Sequence, residues 1–187
     1  MSTEAPMAFT LKSPFRRRAD KPAVQAVYRS IVEQAREPAF YGVTAVPDTP
    51  TGRYAMVALH GFLTMDRLGR EPQAAAFSQQ LFDAMFGDMD RNLREMGVGD
   101  LSVGKKIKGL AQYFYAMAAA VREGMKSGGA ALDDSLRQFV YQGREPGSDA
   151  VATLRAYIIE CVAVLAVQDA DGIMGGRIAF APPPKES

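Results

Sequence analysis

A chain of 187 residues, 48% of them apolar, carries 22 basic and 21 acidic side chains. Its net charge of +1 excludes an overall field for nucleic acid or an anionic membrane. The length fits one domain that buries roughly 70% of its unfolded surface without a metal or disulfide, and the lone Cys161 allows no internal bridge and points to a reducing compartment.

Residues 1–19 form a basic arm that reads as flexible, with Lys12, Arg16, Arg17 and Arg18 against a single acid, Glu4. The arm is either simply solvated or a weak electrostatic tether to acidic lipid headgroups or ribosomal RNA. MAFTL is too short for the apolar core of a signal peptide, and a removable mitochondrial leader would be longer and would lack Glu4.

Beyond the arm, apolar residues recur at period 3.6 and almost never alternate, so the fold class is all-α. Asp20 and Pro22 open a helix whose face is Val24, Val27, Tyr28, Ile31 and Ala35, ending before Pro38. Residues 40–51 read as a loop. Thr51 can cap a second helix ending at Gly69, with Tyr54, Val57, Ala58, Phe62, Met65 and Leu68 facing the core. A third helix restarts at Glu71-Pro72 and breaks at Gly87. Asp88 can cap a short one that stops at Gly97, with both Gly97 and Gly99 at positive φ. Ser102 is the expected cap of a long helix to Met125, striped by Val103, Ile107, Leu110, Phe114, Met117 and Val121. Helices over 133–142 and 149–169 follow, the last apolar nearly all round and therefore expected at the centre. Ile178 and Phe180 are expected to dock, and the proline-rich 181–187 to be disordered. The expected architecture is a single-domain bundle of about seven helices over 20–180, between two tails. The longest apolar run, near Tyr157 to Val167, contains Glu160 and falls short of the ~20 residues a bilayer requires, so the chain reads as soluble.

Chemistry-bearing motifs are sparse. One histidine and one cysteine fit no metal-ligand spacing, and no metal or cofactor is expected. GVGDLSVGKK matches neither phosphate-binding fingerprint and follows no strand. His60 is the only imidazole available as a base, and no nucleophile elbow accompanies it.

Spacing is more informative. Arg53, His60 and Arg67 lie seven apart on one edge of their helix, beside Met56, Leu63 and Thr64. Downstream, Asp88, Asp90, Glu95 and Asp100 make an acidic counterpart interrupted by Arg91 and Arg94. The pairs Asp90–Arg94 and Arg91–Glu95 stand at i,i+4 spacing. Two readings are open: these charges knit neighbouring helices or face water, or they rim a groove that receives a partner segment. Ten methionines and no tryptophan favour an adaptable surface, with Met85, Met89 and Met96 near the charged element. The same methionines also serve as core filler.

Three blocks carry a resemblance: VPDTPTGRY at 46–54, LHGFL with DRL at 59–68, and DMDRNLREMGVGDLSVGKKIK at 88–108. Together they resemble the ubiquinol–cytochrome c chaperone family, over about residues 28–140. The resemblance implies an all-helical, non-enzymatic chaperone that holds nascent cytochrome b during assembly of respiratory complex III. In mitochondria it implies a small helical partner and work near the ribosomal exit. By position it points to Arg53, His60, Arg67, Asp88, Asp90, Leu93, Arg94, Glu95, Gly97 and Asp100 as partner-binding residues. With no long leader, the expectation is a bacterial, cytoplasmic member, peripheral on the inner membrane face where Arg16, Arg17 and Arg18 could touch anionic lipid. The alternatives are a lipid- or quinone-binding helical module with an enclosed cavity, and a small hydrolase using His60.

Overall fold

The computed structural model describes residues 22–185. The Asp20 cap and the arm carrying Arg16, Arg17 and Arg18 therefore lie outside the described residues. α1 (Pro22–Ala35) buries Val24, Val27, Tyr28, Ile31 and Ala35, the face its spacing predicts. The expected loop after it contains one short turn, α2 (Ala39–Gly42), which buries Phe40. α3 (Pro50–Leu68) is capped by Thr49 rather than Thr51: the Gly52 N–H donates to Thr49 Oγ1 at 3.1 Å. Pro50 then takes the first helical position, where its missing N–H would have had no helical partner anyway.

A 3-10 turn (Pro72–Ala74) leads into α4 (Ala75–Glu95), which runs straight through Gly87. The expected break there is absent, and Asp88 lies within the helix instead of capping one. One exposed glycine costs a helix only about 1 kcal/mol. Burial of Phe82, Met85 and Phe86 just before it outweighs that cost. α5 (Asp100–Ser127) starts two residues before the expected Ser102 cap, and its N-cap Gly99 has an ordinary φ of −64°. α6 (Gly129–Phe139), α7 (Ser148–Ala166) and α8 (Ala170–Met174) complete an all-α fold of eight helices among the described residues.

Every residue from Tyr54 to Met65 is buried, so α3 is the central helix, packed by α1, α4, α5 and α7. The expectation that α7 holds the centre is corrected. It buries Val151, Leu154, Tyr157, Ile158, Cys161 and Leu165 but leaves Ile159 56% exposed. Its all-round apolarity comes from small outward residues, Ala156, Ala163 and Ala166, which cost little to expose.

Charged side chains tie the layers at their rims. Arg122 on α5 donates to Asp66 on α3 at 2.8 Å and lies over the Phe62 ring at 5.1 Å. Arg155 on α7 donates to Asp133 on α6 at 2.7 Å. The buried Tyr141 hydroxyl donates to Thr44 O at 2.7 Å, fastening the loop before α3 to the segment between α6 and α7. The helices of the α5–α6 hairpin approach closely: a Cβ on Gly124 would sit 2.7 Å from Leu132 Cα. Because the obstacle is backbone, relief requires the helices to separate. Gly124→Ala should therefore lower stability by about 2 kcal/mol, read as a reduced urea midpoint with unchanged slope.

After α8 the chain runs back over the body. Ile178 and Phe180 pack against the core as expected, but so does Ala181, 1% exposed, whose carbonyl accepts from Gln34 at 3.0 Å. The packed body thus extends beyond residue 180 into the segment expected to be disordered.

Candidate functional site

The elbow between α4 and α5 is largely exposed. At the end of α4, the Gly97 N–H donates to Arg94 O (2.9 Å) and the Val98 N–H to Leu93 O (3.1 Å). This pair of bonds requires a left-handed residue, and Gly97 supplies it at φ +80°. Arg94 then spans the turn, donating to Asp90 on α4 at 2.7 Å and to Asp100 at the start of α5. Asp88 anchors the approach to α1 by accepting the Tyr28 hydroxyl at 2.9 Å. Burial, then the neighbouring carboxylate, pushes that hydroxyl's pKa far above its ordinary value. Arg91 turns back to Asp88 at 3.5 Å rather than forward to the exposed Glu95.

This scaffold presents apolar side chains to solvent. Met96 is 68% and Leu101 97% exposed, with Leu93, Val98 and Met89 half-buried behind them. Lys105, Lys106 and Lys108 are exposed on the next turns of α5. Between residues 88 and 108 only Val103 is buried. Met89 and Ile107 pack against the core from partial burial, and the rest of the segment, defined in backbone and ion pairs, faces outward.

The second half of the expected site lies elsewhere. His60 is fully buried in α3, so it cannot line an open edge. Its Nδ1 lies 2.8 Å from Met56 O, which can only accept, so Nδ1 carries the proton. Nε2 is then free to accept the Tyr157 hydroxyl at 2.7 Å, and the Tyr157 oxygen in turn accepts Gln34 Nε2 at 2.9 Å. Desolvation lowers the His60 pKa to about 4, against a small opposing contribution from the Met56 carbonyl. Arg67 also faces inward, its side chain 11% exposed. It donates to Leu165 O (3.1 Å) and Gln168 O (2.8 Å), satisfying carbonyls at the C-terminal end of α7. Met85 is buried in the core at 1% exposure. Arg53 is exposed but lies against the loop before its own helix, donating to Asp48 at 2.6 Å.

The expected groove between a basic α3 edge and the acidic end of α4 is therefore corrected: seven-residue spacing placed His60 and Arg67 on one line, and α7 covers that line. Two hollows, beside Gln168–Ala179 and beside Pro182–Lys185, are open depressions away from the elbow. Neither is the enclosed cavity that a lipid- or quinone-binding module needs. His60 has both nitrogens engaged and no exposed surface, which removes it as a hydrolytic base. Among the described residues no cluster of three His, Cys, Asp or Glu side chains could hold a metal, and no helix is long and apolar enough to cross a membrane.

Leu101 was hidden in the sequence because residues 97–101 read as a connection. Its phase is the available signal: two residues before Val103, it lies about 200° round the helix from the core stripe. Tyr157, partner of the buried imidazole, sits in an apolar run that gives no hint of its hydrogen bonds.

The family model described as ubiquinol-cytochrome C chaperone matches residues 43–180. A solved structure, that of the Cbp3 homolog from Brucella abortus, shares 36% identity over 86% of this chain and 89% of that one, with a TM-score of 0.75. No curated protein matches the chain. The family match covers α3 to α8, including the buried His60 network, Arg67 and the whole elbow, so the fold and the exposed segment fall within one unit. The chain belongs to the ubiquinol–cytochrome c chaperone family.

Proposed function

We propose that this protein is a non-enzymatic assembly chaperone that holds an apolar or amphipathic segment of cytochrome b, and that the α4–α5 elbow is its contact. Family membership supports the class of function. One observation supports the place: Met96 and Leu101 are exposed on a backbone fixed by the Gly97 stop and the Arg94 bridges. Rigid presentation of apolar side chains lowers the ordering cost of binding. The mixed charges of Asp90, Arg94, Glu95 and Asp100 would orient the client, and Lys105, Lys106 and Lys108 would favour approach to an anionic membrane surface. Leu93 and Met89 extend the apolar area, and a flexible thioether tolerates varied client side chains.

A photo-cross-linking residue placed at Leu101 tests this in cells that assemble ubiquinol–cytochrome c reductase. The expected adduct is cytochrome b. Ile159, exposed on the outer face of α7, is the comparison position. Adducts of cytochrome b from position 159 and none from 101 would move the contact to α7 and overturn the assignment to the elbow.

A further inference from the structure

α5 opens on a basic ridge that no other described part of the fold engages. Lys105, Lys106 and Lys108 are exposed, and among the described residues none of the three has an ion-pair or hydrogen-bond partner. The arginines of the elbow differ. Arg91 is held by Asp88, and Arg94 by Asp90 and Asp100. Over residues 101–122 the helix carries no acidic side chain, so α5 itself does nothing to neutralise the ridge.

Spacing gives the ridge a direction. Leu101, Lys105 and Lys108 stand at i, i+4 and i+7, on one outward face that exposed Gln112 continues. Val103 is buried and Ile107 packs on the core from the opposite side of the helix. Of the four large apolar side chains exposed among the described residues, two, Met96 and Leu101, adjoin these lysines. Unpaired lysines beside an exposed leucine fit a membrane interface. The apolar side chain enters the headgroup–acyl boundary, lysine stems lie along it, and the ammonium groups meet phosphates. A nucleic acid would engage the charges but gain nothing from Leu101, and the ridge offers neither arginine nor aromatic rings for bases to stack on.

We infer that the first turns of α5 dock on an anionic phospholipid surface, with Leu101 inserted at the headgroup–acyl boundary and Lys105, Lys106 and Lys108 on lipid phosphates. The inference deepens the proposed elbow site and rests on that reading for its purpose: an elbow seated on the bilayer meets a client segment at the membrane surface. Each lysine near such a surface strengthens binding about fivefold, so the three together supply about a hundredfold. High salt screens that gain.

The test uses the purified full chain, without cytochrome b, and phosphatidylcholine vesicles in which about a third of the lipid is phosphatidylglycerol. The unaltered chain should sediment with these vesicles at low salt and not with pure phosphatidylcholine. Lys105→Gln/Lys106→Gln/Lys108→Gln should bind at least about tenfold more weakly, with its helical circular dichroism unchanged. Equal sedimentation of the two proteins would assign the binding to other cations, such as Arg16, Arg17 and Arg18, and overturns the inference. Because the chain has no tryptophan, Leu101→Trp supplies a single reporter. Its emission should move to the blue on anionic vesicles and be quenched by brominated acyl chains, whereas that of Ile159→Trp should not. Unshifted emission from position 101 in sedimented protein places the contact elsewhere and overturns the inference. Capture of polyuridylate RNA without sedimentation on vesicles makes the ridge a nucleic-acid contact and also overturns it. Since no cytochrome b is present, failure here leaves the client contact standing, and a failed cross-link from position 101 leaves the vesicle result standing.

Discussion

Acidification from pH 6.5 to 4 should remove about 3 kcal/mol of stability through His60 alone. The sign follows from burial. In the fold the imidazole stays neutral down to about pH 4, because no solvent reaches it, while its ordinary value is 6.5. Between those limits the unfolded chain binds a proton that the native state refuses, so unfolding becomes easier as pH falls. The contribution is complete above pH 6.5, falls progressively below it, and is exhausted below pH 4. Surface carboxylates titrate in the same window, so the measurement must be a difference. Urea midpoints of the unaltered protein and of His60→Gln, taken at pH 7, 5.5 and 4, isolate the residue. The variant is expected to be less stable at pH 7, because the Tyr157 and Met56 bonds are rearranged, and to lose less on acidification. Parallel stability curves would mean that the imidazole titrates freely and that its network opens to water.

The sequence disclosed helices readily because burial in a bundle imposes period 3.6, and α1, α3 and the stripe of α5 all show it. It misplaced features that depend on which of two local options tertiary packing prefers. Gly87 is tolerated because Phe82, Met85 and Phe86 are fixed in the core on one side and Asp88 is tied to Tyr28 on the other. Thr49 displaced Thr51 as cap because Pro50 pre-sets the first helical turn. The candidate site divided along the same line. The elbow half was legible because its charges and glycines belong to one continuous segment, where Arg94 reaches Asp90 and Asp100 within six residues. The α3 half was not, because whether His60 and Arg67 face water depends on α7, about a hundred residues away. A periodic edge on one helix says which residues share a direction, not what lies in that direction.

That division assigns different work to similar residues. Arg67 and Arg122 hold helices together through backbone carbonyls and Asp66, and their loss should be felt in stability. Arg94 joins only the two sides of an exposed turn, and its loss should be felt in how firmly the elbow is presented. The same contrast separates Met85, sealed beside Gly61 in the core, from Met96 at the surface. Only the exposed members of the methionine set can meet a partner.

Replacing Met96 and Leu101 together by aspartate should therefore abolish client capture while leaving the fold intact. Each side chain buried in an interface contributes about 1.5–3 kcal/mol, and a carboxylate left unpaired there opposes binding further. Loss of about 3 kcal/mol from the pair corresponds to at least a hundredfold weaker association. Stability should change by less than about 0.5 kcal/mol, since Met96 and Leu101 are 68% and 97% exposed and pack against little. The readout is recovery of cytochrome b with the tagged protein from cells assembling the complex, alongside a thermal melt. Ile159→Asp serves as the matched control, an equally drastic change at an exposed apolar residue on α7. The elbow reading requires recovery to collapse for Met96→Asp/Leu101→Asp and to persist for Ile159→Asp, with superimposable melts. Undiminished recovery from the double variant would leave the family assignment untouched and show that the client is held elsewhere on the molecule.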